Sequence, residues 1–308
     1  VLTASAVSSI DLLADRRYRF GRDLAARGDD AGAADLFAQA IEAAPPFAPA
    51  WFALGEARAR LGDEAGAAAA FARTLELDPD DHCGAALHLA RLGRRDAADA
   101  MSGAYVRMLF DQYAGHFDAA LARLDYAAPA RLRDAVEAAR PGAAFAHMLD
   151  LGCGTGLAGA AFRSMAARLT GVDLSPAMIA QAHAKRLYDR LETADLAAFL
   201  AAEKACGATY DLVIAADVFV YIFDLAPPAA AVAQVLDRGG LFGFTVETHG
   251  GDGVELGEKL RYRHGEGHVR AALAAGGLRP VALSPVTTRI EGAAAVAGLL
   301  VLASSVAS

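Results

Sequence analysis

Cysteine is scarce: Cys83, Cys153 and Cys206 are the only three in 308 residues, too few and too scattered for a disulfide framework or the paired spacing of a zinc site. No metal centre is expected. An excess of basic charge is also missing, with 29 Lys and Arg against 37 Asp and Glu, a net charge of −8 and a pI near 5.5. That balance leaves no footprint for a phosphate backbone, so nucleic acid is not an expected partner. Long apolar runs are absent as well: residues 293–303 are interrupted by Gly298, follow Arg289 and Glu291, and read as a buried strand rather than the roughly 20 apolar residues of a membrane span. Residues 1–10 lack a basic region, apolar core and cleavage site in series. A reducing cytoplasm, with no membrane partner, is the expected location.

What the chain has in quantity is alanine and other apolar residues, 55% hydrophobic in all, enough for sizeable cores and favourable to closely packed helices. Its length suggests two domains. From residue 14 to about residue 82 the sequence repeats at an offset of 34: Gly21 returns as Gly55, Gly28 as Gly62, Asp29 as Asp63, Ala33 as Ala67, Phe37 as Phe71 and Pro45 as Pro79. Each copy predicts a helical hairpin, its small residues admitting the phenylalanines and its proline stopping the second helix. The period, with Trp51, Leu54 and Gly55, resembles the tetratricopeptide repeat. Residues 83–100, with Leu87, Leu89, Leu92 and Gly93, read as a degenerate capping unit. Such repeats imply either a groove for a partner protein or a surface for self-association. His82 and His88 lack a partner at ligand spacing and read as ordinary surface or packing residues.

The second half turns on Asp150, Leu151, Gly152, Cys153, Gly154, Thr155 and Gly156, a strand end and glycine turn leading into a helix predicted over residues 157–167. The glycines allow a sharp bend and let a ligand meet bare main chain. A second apolar strand, 169–172, ends at Asp173, followed by Leu174, Ser175 and the helix-opening Pro176. An acid there reaches ribose hydroxyls in open α/β sheets. Asp150 ahead of the turn would repel a pyrophosphate and attract a cation, which disfavours a nicotinamide-dependent oxidoreductase.

These residues together resemble the cofactor site of the class I S-adenosylmethionine-dependent methyltransferases, over a stretch from about residue 105 to the C-terminus. The resemblance implies an α/β, Rossmann-like seven-stranded sheet, its last strand antiparallel, with helices on both faces, preceded by the all-α tetratricopeptide-repeat segment. The divisions expected are a repeat domain over 1–100, a helical linker or lid over 101–142 and a catalytic domain over 143–308. The implied cofactor is S-adenosylmethionine, with S-adenosylhomocysteine as product. Its contacts by resemblance are Asp150, Gly152, Cys153, Gly154, Thr155, Gly156, Asp173, Leu174, Ser175, Met178 against the adenine, Asp195 and Leu196 at the adenine amino group, and Asp217 and Val218 at the end of the fourth strand. Asp195 equally suits the cap of the following helix. In the aromatic segment from Tyr105 to Asp118, Tyr113 and Tyr105 are candidates to cover the methionine end, with Phe110 and Phe117 as core; helix packing of all four is the alternative.

Methyl transfer needs positioning and dryness, and a base only where the acceptor must lose a proton. The candidates are His249 at the end of the fifth strand, and Tyr262 and His264 in the loop beyond. Glu247 comes next. No cysteine stands where cytosine C5 chemistry would need one. The expected function is methyl transfer to a small-molecule or protein acceptor; the alternative is a repeat-based interaction module with a non-catalytic cofactor fold.

Overall fold

The structure, a computed structural model, describes residues 9, 11–292 and 294–305. Except for Ser9, the N-terminal stretch in which no leader signature is found lies outside them. The chain divides into two compact units, Val1–Met108 and Leu109–Ser308.

The first unit is helical. Two hairpins, α1 (Leu12–Ala26) with α2 (Asp30–Ala43) and α3 (Ala48–Arg60) with α4 (Glu64–Leu77), reproduce one geometry at the sequence offset. Asp29 and Asp63 each cap a second helix by accepting from an amide three residues on, Gly32 and Gly66. Gly21 faces Phe37, and Gly55 faces Phe71: a Cβ on either glycine would lie 2.6 Å from the opposing ring. The second helices end at Ala43 and Leu77, two residues ahead of Pro45 and Pro79, which cannot extend the hydrogen-bond ladder. The third unit is shorter than a hairpin: α5 (Ala85–Arg91) is followed only by a 3₁₀ turn, Ala97–Asp99. His88 is buried and stacks on Phe71 at 4.7 Å, and burial pushes its pKa down to about 4. Tyr105, a candidate cofactor cover, instead packs against Gly84, whose added Cβ would lie 2.7 Å from its ring. The boundary between units falls inside α6 (Gly103–Tyr113).

The second unit is a mixed sheet flanked by helices. Five parallel strands run in the order β3 (Arg190–Thr193), β2 (Ala166–Asp173), β1 (Phe145–Leu151), β4 (Tyr210–Ala215), β5 (Leu236–Thr248). β9 (Ala294–Ser305) pairs antiparallel with β5, and β8 (Leu278–Glu291) with β9. The expected seven strands are joined by two more, so the described sheet has nine. β7 (Tyr262–His264) lies parallel against the tip of β5, and β6 (Val254–Leu256) pairs antiparallel with β7. Tyr262 and His264 are therefore strand residues and not loop residues.

Both sheet faces are covered. Leu149 and Leu151 point into a core with Val213, Phe242 and Phe244, closed by residues of α11 (Leu196–Ala205), α12 (Ala226–Val235) and α13 (Glu266–Ala275). Met148 points the other way, to Leu132 and Val136 of α8 (Ala128–Ala139) and Phe162 of α9 (Leu157–Phe162). Each such fully buried side chain contributes about 1.5–3 kcal/mol. Alternation along β1 thus carries Asp150 to the α8 and α9 face. The helix expected to reach residue 167 stops at Phe162, because Arg163 turns back to donate to the Ala166 and Ala167 carbonyls and β2 begins at Ala166.

Candidate functional site

The glycine turn leaves β1 with Gly152 at φ +63°, Gly154 at +53° and Gly156 at +91°, a left-handed region that only glycine enters freely. The three glycines do different work. A Cβ on Gly152 would strike Val218 at 2.5 Å, so that glycine admits the chain beyond β4 to the turn. Gly154 has only the Phe117 ring near, at 3.8 Å, and presents bare main chain. Gly156 opens α9, which has six residues. Cys153 is buried and its thiol is pushed well above its ordinary range by burial and then by the neighbouring Asp150 and Asp173 carboxylates.

Asp173 ties this turn to the end of β2. Its Oδ2 accepts from the Gly154 amide at 2.9 Å and its Oδ1 from the Ser175 amide at 2.8 Å. Burial nevertheless holds its carboxyl above the usual range. Ser175 caps α10 (Pro176–Lys185) by accepting from the Met178 amide at 3.1 Å. Met178 itself has no exposed surface and packs as core, while Leu174 is half-buried. Asp150 is 1% exposed; the Tyr188 hydroxyl donates to its Oδ2 at 2.6 Å, and Oδ1 has no partner. Burial pushes its pKa up to about 7.

Asp195 is exposed and caps α11, its Oδ1 accepting from Ala197 at 2.9 Å and Ala198 at 3.2 Å. The helix-cap reading therefore holds, with Leu196 half-buried behind it. Asp217, at φ +55°, is committed elsewhere. Its Oδ1 accepts from Thr245 at 2.7 Å and its Oδ2 from Arg289 at 2.8 Å. Arg289 also bonds Glu247 and reaches Glu291 at 2.7 Å, while Arg261 reaches Glu247 at 2.5 Å and Glu291 at 2.6 Å. Three acids and two arginines thus share one partly buried network beyond β4 and β5.

The aromatic segment lies over the turn through its acids, Asp111 and Asp118. Ser175 donates to Asp111 at 2.5 Å. One helix further on, in α7 (Phe117–Ala122), Asp118 takes bonds from Thr155 at 2.5 Å and Lys185 at 2.6 Å. Phe110 and Phe117 are half-buried and not core; Phe110 meets Tyr221 edge-on at 5.3 Å. Tyr113, the expected cover, is 48% exposed.

Two of the three base candidates are walled in. Tyr262 has no exposed surface and meets Phe223 edge-on at 5.4 Å. His264 is equally buried, its Nε2 3.0 Å from the Ile222 carbonyl, and burial pushes its pKa down to about 4, so the ring is neutral near pH 7. His249 is half-buried; its Nδ1 accepts from the Gly251 amide at 3.2 Å, with Nε2 3.3 Å from the Gly253 carbonyl.

A family model described as "Methyltransferase domain" matches residues 149–242, from the end of β1 to the start of the apolar run in β5. Over that segment the chain is similar to a methyltransferase domain. Over 89 residues it is 42% identical to human Methyltransferase-like protein 27, a match spanning 28% of this chain and 36% of that protein. The matched part is thus about a third of that curated relative's length. A chain of the Haloferax volcanii complex between the Trm112 methyltransferase activator and a methyltransferase superposes with a TM-score of 0.50, at 20% identity, over 64% of this chain and 97% of its own. Synechocystis PCC 6803 magnesium protoporphyrin IX methyltransferase, solved with bound SAM, superposes at 0.45, with 19% identity, over 58% of this chain and 78% of its own. At 20% identity the likeness to the Haloferax volcanii chain is one of fold. Around the turn and the ends of β4 and β5, Tyr188, Arg289, Lys185, Asp111 and Asp118 are the residues to which sequence reasoning gave no role. A lone Tyr or Lys in a polar stretch carries no local signal; the two acids stand in the Phe110-Asp111 and Phe117-Asp118 pairs whose spacing carries the resemblance of this segment, but nothing local gives the acids a role.

Proposed function

We propose that the second unit is an S-adenosylmethionine-dependent methyltransferase acting on a small-molecule or protein acceptor. The observation that carries this reading is the Asp173 carboxylate bonded to the Gly154 amide inside a segment that matches a methyltransferase domain. The residues fit the cofactor. Bare main chain at Gly154 leaves room that a Cβ would fill, and Asp150 Oδ1 is an orphaned buried acceptor. Beside them, Asp173 uses one hydrogen bond per oxygen, and a carboxylate oxygen can accept a second, from a ribose hydroxyl. Asp195 is exposed and caps α11 through Oδ1, which suits its Oδ2 to the adenine amino group, with the neighbouring Leu196 beside it.

The bound cofactor supplies a sulfonium methyl activated for in-line displacement, leaving a neutral thioether. This chain's residues have the work of binding, orientation and exclusion of water. Phe117 and the Asp111 and Asp118 contacts close the turn. Asp217, Glu247 and Arg289 bound the acceptor side. Of the base candidates, His249 alone retains exposed surface, and it takes a proton only from an acceptor that must lose one. The first unit's hairpins, read as tetratricopeptide repeats, would supply a surface for a partner protein or a second copy.

The test is calorimetric titration with S-adenosylmethionine, S-adenosylhomocysteine and, separately, NAD. Micromolar binding of the first two, lost in Asp173→Ala and absent for NAD, supports the reading; turnover of a labelled methyl group distinguishes an enzyme from a binding module. Binding of neither donor nor product overturns it.

A further inference from the structure

Tyr188 lies between α10 and β3, in a stretch to which neither sequence motif assigns a role. Its side chain occupies the space that three glycines leave open. A Cβ on Gly156, Gly159 or Gly171 would come within 3.1, 2.4 and 2.8 Å of its ring or hydroxyl atoms. From there the hydroxyl donates to Asp150 Oδ2 at 2.6 Å, while Asp150 Oδ1 stays buried without a partner. The ionisable groups facing this carboxylate are Asp173 on β2, Cys153 in the turn, Tyr188 itself and Tyr126 ahead of α8. No cation is among them. Burial holds the thiol and both phenols well above their ordinary ranges, so they are neutral near pH 7.

The inference rests on the reading of this turn as the S-adenosylmethionine site. We propose that Tyr188 is a positioning residue that keeps the Asp150 carboxylate ionised and aimed beneath the glycine turn, so that the cationic cofactor meets a negative charge sustained by the tyrosine hydroxyl. A hydrogen bond donated to an ionised oxygen favours the ionised form, and burial opposes it. Burial is the larger influence and leaves the Asp150 pKa at about 7. With no cation near it among the described residues, the Tyr188 donor is the chief side-chain influence on how much charge Asp150 carries at neutral pH. The three glycines are then more than turn residues, since Gly156, Gly159 and Gly171 together make the slot in which that donor fits.

Two measurements test this on the full chain. In ligand-free protein labelled with 13C at aspartate carboxyls, the resonance missing from Asp150→Asn should titrate with a midpoint of about 7. In Tyr188→Phe, which keeps the ring on the glycines, that midpoint should rise by about one pH unit. The labelled Tyr188 Cζ resonance of the unsubstituted protein should move with the Asp150 midpoint, a readout that needs no variant. In calorimetry with S-adenosylmethionine, the ratio of Kd in Tyr188→Phe to wild type should be about tenfold below neutrality and fall towards one in alkali. The ligand's own ammonium titrates alike in both and cancels in the ratio. A Kd ratio that does not change with pH, or a Cζ resonance indifferent to Asp150, would reduce Tyr188 to packing and overturn the proposal. Wild-type protein that binds no S-adenosylmethionine at any pH overturns the site reading, and this inference with it.

Discussion

Arg289, 5% exposed, donates to Asp217 Oδ2 at 2.8 Å across 72 positions of sequence. The same guanidinium bonds Glu247, so one side chain from the end of β8 neutralises acids at the ends of β4 and β5. Removing it strands the largely buried Asp217 carboxylate and leaves Glu247 to Arg261 alone. Arg289→Ala should therefore destabilise the protein by about 3–5 kcal/mol, read as a lowered midpoint in denaturant. Arg289→Ala at wild-type stability would mean that water already screens the network.

The second relationship is a closure over the glycine turn. Lys185 and Thr155 both bond Asp118, and Ser175 bonds Asp111. Lys185 and Asp118 keep 30% and 45% of their side-chain surface, so the pair adds only about 0–1 kcal/mol to global stability. Its effect should be local. Lys185→Ala is expected to leave the melting temperature nearly unchanged while amide exchange rises across residues 109–122; unchanged exchange there would show that Phe117 and Asp111 hold the segment without it.

Asp150 links stability to pH with a definite sign. Its carboxyl is raised from an ordinary 3.8 to about 7 in the folded state, so folding favours the protonated form. The native state is therefore penalised progressively as pH rises from about 4 to about 7, with the full penalty present above that. Asp150→Asn removes the penalty while leaving an oxygen for Tyr188 to bond. It should be more stable than wild type by a few kcal/mol at about pH 8, with the gain vanishing near pH 4. A stability difference that is the same at both pH values would place the Asp150 carboxyl in its ordinary range.

The parts of this site legible in sequence are contiguous ones. Gly152, Gly154 and Gly156 stand within five residues, and Asp173 with Ser175 at the end of one apolar run, so backbone need and chemistry share one short window. Tyr188 with Asp150 and Lys185 with Asp118 are separated by 38 and 67 positions, and only folding joins them. The first unit was legible because its period repeats. The two additional strands were not, since β6 and β7 are three residues each and show no usable alternation. His264 and Tyr262 looked like reactive loop residues because nothing local reveals that β5 lends them an edge.

The repeat itself makes the most local prediction. Gly21 and Gly55 occupy matching positions, and a Cβ on either would lie 2.6 Å from a ring carbon of Phe37 or Phe71. Both rings are almost fully buried, at 1% and 0% exposure, and cannot swing away without disturbing the hairpin core. Gly21→Ala and Gly55→Ala should each cost about 1–3 kcal/mol, despite the better helix propensity of alanine. Pairing Gly21→Ala with Phe37→Leu should recover part of that loss, because the smaller side chain vacates the contact. Thermal unfolding of the two single variants and the pair decides the matter: a Gly21→Ala protein as stable as wild type would mean the two helices of the hairpin part without cost, against the packing of Ala33 and Phe37 seen here.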